Sequence, residues 1–317
     1  MLKTALLTAL ALFTAGYALI WILAVMREGR ERPADQPAPK ALPGPLELFI
    51  GFVTNFFDTL GIGSFATTSS AFKLARLVHD EDIPGTMNVG HTAPTIVEAL
   101  IYIAVVQVEP VTLVSMLGAS ALGAWLGAGV VSGWPRRKIQ IGMGSVLIAA
   151  AILMALSQLQ LMPGGGNALG VSGAKLIAAI AGNFLLGALM TLGIGLYAPC
   201  MVLVALLGMN LRAAFPIMMG SCAFLMPVAS IPFIRARAFD RQAALGLTIG
   251  GVPAIFLAAY GVKSLPLDTV RWLVVVVVLY TAATMWRSSM REGQKSGFRV
   301  PGSGFREQTP DPSSGAQ

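Results

Sequence analysis

The stretch FVTNFFDTLGIGSFATTSS, residues 52–70, interrupts an apolar run with two glycines around one isoleucine. The pentapeptide TLGIG stands at 59–63 and again at 191–195, inside NFLLGALMTLGIGLYAPC, residues 183–200. Glycine at both ends of the GIG triplet admits non-helical backbone. The two runs that contain it, 45–78 and 172–208, are also too long for one crossing of a hydrocarbon layer about 30 Å thick. Each therefore reads as two half-helices joined at the break.

The repeat extends outward from the pentapeptide. Gly90 in MNVGHTA matches Gly220 in IMMGSCA, and Pro135 in GWPRRKI matches Pro266 in SLPLDTV, at nearly the same offset. Each half thus holds one broken stretch followed by three full-length ones: 85–107, 111–132 and 138–161, then 213–234, 242–262 and 269–286. Residues 1–26 form an additional membrane helix, because the apolar run is too long for a signal-peptide core and lacks an A-x-A site. Residues 27–44, charged and proline-rich, read as a linker, and 288–317 read as a disordered tail.

Composition agrees. Of 317 residues, 55% are hydrophobic and 12% are charged, about half the charge of a soluble domain. The chain is an all-α polytopic membrane protein, so its net charge of +7 does not point to nucleic acid. The basic residues sit in short loops, as the positive-inside rule expects. There is no CxxC, no HExxH and no P-loop, so no cofactor and no metal is implied. Cys200 and Cys222 lie in apolar segments, and a structural disulfide is not expected.

Loop charge sets a topology. Placing 27–40, 136–138, 235–241 and the tail in the cytoplasm makes stretch 45–78 begin and end inside. Stretch 172–208 then begins and ends outside. Both broken stretches become re-entrant hairpins, one from each face, and the halves 45–161 and 172–287 become inverted repeats. Arg212, Lys263 and Lys175 fall outside as exceptions. Lys73, Arg76 and Glu47 lie near membrane ends and are expected to snorkel.

A half-helix that begins within a membrane presents free N–H groups and the positive end of its dipole, which suits an anion. The candidate binding residues are Gly61, Gly63, Ser64, Thr67, Thr68 and Ser69 at the first tip and Gly193, Gly195, Tyr197 and Cys200 at the second. Ser64 is the expected N-cap. The same hydroxyls can instead bond back to the preceding turn. Asp58 stands just before the first break, where a carboxylate is either a proton or gating site or a cap for the tip's N–H groups. Asn88, His91, Thr95, Glu98 and Tyr102 recur at helical spacing and share one inward face. Asp58, His91 and Glu98 are proton-coupling candidates, with packing as the alternative role.

The stretches GFVTNFFDTLGIGSFAT (51–67) and GNFLLGALMTLGIGLYAPC (182–200), supported by GASALGAWLGA (118–128) and LGLTIGGVPAIFLAA (245–259), resemble the sulfite exporter TauE/SafE family over residues 45–287. Many members carry a longer glycine run and a proline after the first break, where this chain has GIGSFATT. The N-terminal helix lies outside the usual core. The resemblance implies outward transport of sulfite or a sulfonate, whereas the residues alone imply a small anion. The leading reading is a secondary transporter of the inner membrane, not an enzyme, with lipid and a small anion as partners and a homo-oligomer left open. A passive channel, an intramembrane enzyme and a membrane assembly factor are the alternatives.

Overall fold

The computed structural model describes residues 2–31, 42–131, 133–162, 165–191 and 196–261, with helical positions 272, 275, 276, 278–280, 282–287 and 290. Among the described residues there is no β-strand; the fold is all-α. α1 is Leu2–Glu31, α2 Pro45–Thr59, α3 Ser64–Ala75, α4 Ile83–Val105 and α5 Pro110–Val131. α6 is Arg136–Gln158, α7 Gly173–Met190, α8 Tyr197–Leu206, α9 Leu211–Ala236 and α10 Arg241–Phe256, which ends in a π-turn at Leu257–Gly261. The linker core at 32–41 and the tail at 291–317 lie outside the described residues.

Among the described residues, six helices are long and apolar enough to cross a membrane: Thr4–Ala24, Pro110–Val131, Arg137–Gln158, Gly173–Met190, Leu211–Ala236 and Arg241–Gly261. α4 has 23 residues but is not one of them, because its buried face carries Asn88, His91, Thr92, Thr95 and Glu98. α2 and α3 have 15 and 12 residues, so they rise only about 22 and 18 Å. Neither crosses alone, as the break at 59–63 predicts. The second stretch is less even: α7, with 18 residues, is long enough to cross, and α8 has only 10.

One correction concerns the first helix. It continues to Glu31, five residues into the expected linker. REGRE contains good helix formers, and Pro33 is the first residue that opposes continuation.

The two broken stretches pack in a reciprocal way. α2 lies against α10 and α7 lies against α5, while α4 and α9 cross at the centre. Glycines permit these close approaches. A Cβ on Gly51 would strike Gly246, and one on Gly187 would strike Ser120. Prolines 94, 216, 227, 232 and 253 stand inside α4, α9 and α10. Each removes a backbone donor that only a surrounding bundle makes tolerable.

Hydrogen bonds sort the loops into two ends. The Glu109 amide donates to Leu169 O at 2.8 Å, and the Asn210 amide to Ala168 O at 2.8 Å, so these loops share one end. At the other end, Thr86 Oγ1 accepts from the Asp240 amide at 2.8 Å, and Gln140 Nε2 donates to Asp80 Oδ2 at 2.8 Å. Lys73 does not snorkel. Its Nζ lies 2.6 Å from both oxygens of Asp80, with side-chain exposures of 17% and 5%. Asp80 is buried beside the end of α3 and needs a cation more than the lysine needs water.

Candidate functional site

α2 ends because the chain turns sharply through Gly61 and Gly63, at φ 87° and 90°. The turn is closed by the Gly61 amide on Asp58 O at 2.8 Å and the Ile62 amide on Phe57 O at 3.0 Å. Left-handed backbone of this kind is inexpensive only for glycine. α3 then starts at Ser64, with Gly63 as its N-cap residue and no side-chain cap. Ser64 is therefore the first helical residue and not the expected cap. Its amide and hydroxyl face the carboxylate of Asp58, which sits against the N-terminus of α3.

Across from this turn stands Glu98 of α4, fully buried. Thr59 Oγ1 donates to its Oε1 at 2.7 Å, and Tyr197 Oη of α8 donates to its Oε2 at 2.7 Å. The same phenol lies 3.4 Å from Asp58 Oδ2. Tyr102 Oη donates to Thr59 O at 2.8 Å and its ring stacks on Phe215 at 5.4 Å, holding the tip from the α9 side. One phenol from the second broken stretch thus bridges two carboxyl groups from the first half.

Asp58, Gly63, Ser64, Phe65, Thr95, Met190, Leu196, Tyr197 and Cys222 line a cavity of about 10 Å³, room for one water. Asp58 Oδ1 is buried, and the Ser64 groups that face the carboxylate are not close or aligned enough to make a full hydrogen bond to it. A larger cavity of about 310 Å³ touches the other side of the tip at Gly61 and Ile62 and is lined by Met154, Gln158 and Met201.

The remaining expected residues are placed as follows. His91 is buried one layer away and does not line the small cavity. Its Nδ1 lies 3.0 Å from Asn55 Oδ1, and its Nε2 2.9 Å from Thr68 Oγ1. Asn55 turns its amide nitrogen to Gly51 O at 2.7 Å, so its oxygen must accept from His91 Nδ1–H. In the neutral ring Nε2 then accepts from the Thr68 hydroxyl. Thr67 donates to Ser64 O at 2.8 Å and Ser69 to Ala66 O at 3.1 Å, bonding back to their own turn. Cys200 is buried in α8 away from the small cavity. Gly193 and Gly195 lie outside the described residues.

A family model, "Sulfite exporter TauE/SafE", matches residues 1–154 and 175–313. The chain belongs to the sulfite exporter TauE/SafE family. As a member it is a membrane permease of a transporter family, not an enzyme family. The match begins at residue 1, so α1 lies within the family's range, contrary to the expectation that it stands outside. No curated protein and no solved structure matches the chain.

Sequence reasoning missed Thr59, Asn55, Met190 and Cys222 as neighbours of the site. Thr59 is the first letter of the repeated TLGIG, so a signal for it existed. Nothing in the sequence brings Cys222 to Asp58.

Proposed function

We propose that this TauE/SafE member is a secondary transporter that exports a small sulfur oxyanion, sulfite or a sulfonate, across the inner membrane, with a proton as the coupling ion. The observation that carries this reading is the Tyr197 bridge between Glu98 and Asp58 beside a water-sized cavity.

The electrostatics supply the coupling. Two carboxyl groups share this site, and no lysine or arginine lines it among the described residues. An anion entering beside two carboxylates meets strong repulsion at low dielectric. A proton on the pair removes one negative charge, and Asp58 Oδ1 is the open position for it. The N-terminus of α3, now facing Asp58, is then free to turn its amides toward the anion. Ser64, Gly63 and Tyr197 are the contacts at that place, with Gly193 and Gly195 as their counterparts at the second tip. Gly61 faces the larger cavity and offers a path to the tip from that side. Thr67, Thr68, Ser69 and Cys200 contribute only if α3 and α8 shift, and His91 serves as a relay through Thr68.

The halves 45–161 and 172–287 act in this reading as inverted repeats. The reciprocal packing of α2 on α10 and α7 on α5 supports that arrangement. So does Lys175 Nζ, which donates to Leu207 O at 3.1 Å and ties the start of α7 to the end of α8. Access alternates as the tips part on one side and then the other, with the basic loops and the tail inside the cell.

Counterflow in proteoliposomes tests the carrier reading. Vesicles preloaded with unlabelled sulfite or a sulfonate should transiently take up external labelled substrate above equilibrium. Simple equilibration without overshoot would make the protein a channel.

A further inference from the structure

The described surface holds a second concave site, at the opposite end of α3 from the tip. A cavity of about 490 Å³ is lined by Lys73, Leu74, Arg76, Leu77, Val78, His79, Asp80, Tyr280 and Thr284. Its charge is uneven. Lys73 and Asp80 cancel each other, and Gln140 takes a further donor position on Asp80. Arg76 remains. Arg287 stands three residues beyond Thr284 and so on the same face of its helix. Glu81 and Asp82, the other acids of this loop, do not line the cavity.

Arg76 also sits where an arginine is unfavourable. It is the C-cap of α3 in the left-handed region, φ 53°. Counting by the TLGIG offset, its repeat mate is Gly208, which has φ 79°. The backbone at this position wants glycine, and the second half has it. The first half carries a long cationic side chain there despite about 1–2 kcal/mol of backbone strain. Conformation disfavours an arginine here as it does at Arg237, the C-cap of α9 at φ 53°, but Arg76 also lines a cavity that a ligand for its guanidinium can occupy.

The walls identify the ligand class. Leu74 and Tyr280 are 49% and 58% exposed, and in a membrane protein such surfaces meet acyl chains. Beside them lie Arg76 and the hydroxyls of Tyr280 and Thr284, with Arg287 about one turn further along the helix of Thr284. An apolar wall continuous with a cationic, hydroxyl-lined recess fits a phosphodiester that carries fatty chains. We infer that this cavity binds the headgroup of one anionic phospholipid, with Arg76 as its main cation. The inference stands apart from the central site and does not depend on which anion is transported.

The test uses full-length protein in neutral detergent and reads its melting temperature with phosphatidylglycerol, phosphatidylcholine or inorganic phosphate. Phosphatidylglycerol should raise Tm saturably, and phosphatidylcholine should not. Arg76→Gly should leave Tm without lipid unchanged or higher, because glycine suits the backbone, while removing most of the phosphatidylglycerol shift. Arg76→Gln and Arg287→Gln should also lower that shift, and Arg212→Gln, at the other end of the bundle, should keep it. A full shift in Arg76→Gly, an equal shift with phosphatidylcholine, or an equal shift with inorganic phosphate would overturn the assignment.

Discussion

Tyr197 Oη lies 2.7 Å from Glu98 Oε2, joining the second broken stretch to the first half across 99 positions of sequence. Both groups are buried. Tyr197→Phe leaves one oxygen of Glu98 unsatisfied and should cost about 1–3 kcal/mol of stability. Transport should fall about tenfold or more if the same bond aligns the tips, since about 1.4 kcal/mol corresponds to a factor of ten. Thermal unfolding and flux on the same preparation check both.

The Lys73–Asp80 pair should behave as a buried pair. Lys73→Met takes away the cation that balances Asp80, leaving the Gln140 bond, and should cost about 3 kcal/mol. Lys73→Met combined with Asp80→Asn should recover most of that loss. A single variant as stable as the parent would show that the pair is solvated.

Two glycine substitutions should separate strain from collision. Gly63 has φ 90° and ψ 130° and open space for a Cβ, so Gly63→Ala should cost only backbone strain, about 1–3 kcal/mol. Gly187 is helical, but its Cβ would press into the backbone of Ser120. Gly187→Ala should force α5 from α7, cost about 1–3 kcal/mol or more, and lower flux as well. Melting curves rank the two.

Glu109 provides a pH dependence outside the membrane. It caps α5 by accepting from the Thr112 amide at 2.7 Å and the Val111 amide at 3.0 Å. The Thr112 bond holds its carboxyl below the usual glutamate range. A depressed folded value means stabilisation that is present above the unfolded value and lost as pH falls through the folded one. Stability should therefore decline on acidification below about pH 4.5, the ordinary glutamate value. Glu109→Gln should flatten that part of the Tm–pH curve.

Much of the fold was legible because lipid makes it so. Backbone that cannot bond to water must be helical, and glycine pairs mark where the helix stops. The polar face of α4 was legible because Asn88, His91, Thr95 and Glu98 fall at helical spacing. Their partners were not. That Glu98 meets Tyr197, or that His91 is enclosed by Asn55 and Thr68, depends on how broken helices cross, and no local period records it. The hydroxyl run after the first tip was ambiguous for a related reason. Thr68 turns outward to His91, while Thr67 and Ser69 bond to their own turn, and helix rotation decides between the two.

The most direct test of coupled transport is sulfite or sulfonate flux in proteoliposomes under an imposed pH gradient, comparing the parent protein with Glu98→Gln. The gradient should drive substrate accumulation in the parent. In the variant, exchange should persist while the response to the gradient disappears. Equal accumulation with and without the gradient, or an unaltered gradient response in Glu98→Gln, would contradict proton coupling at the Tyr197 bridge.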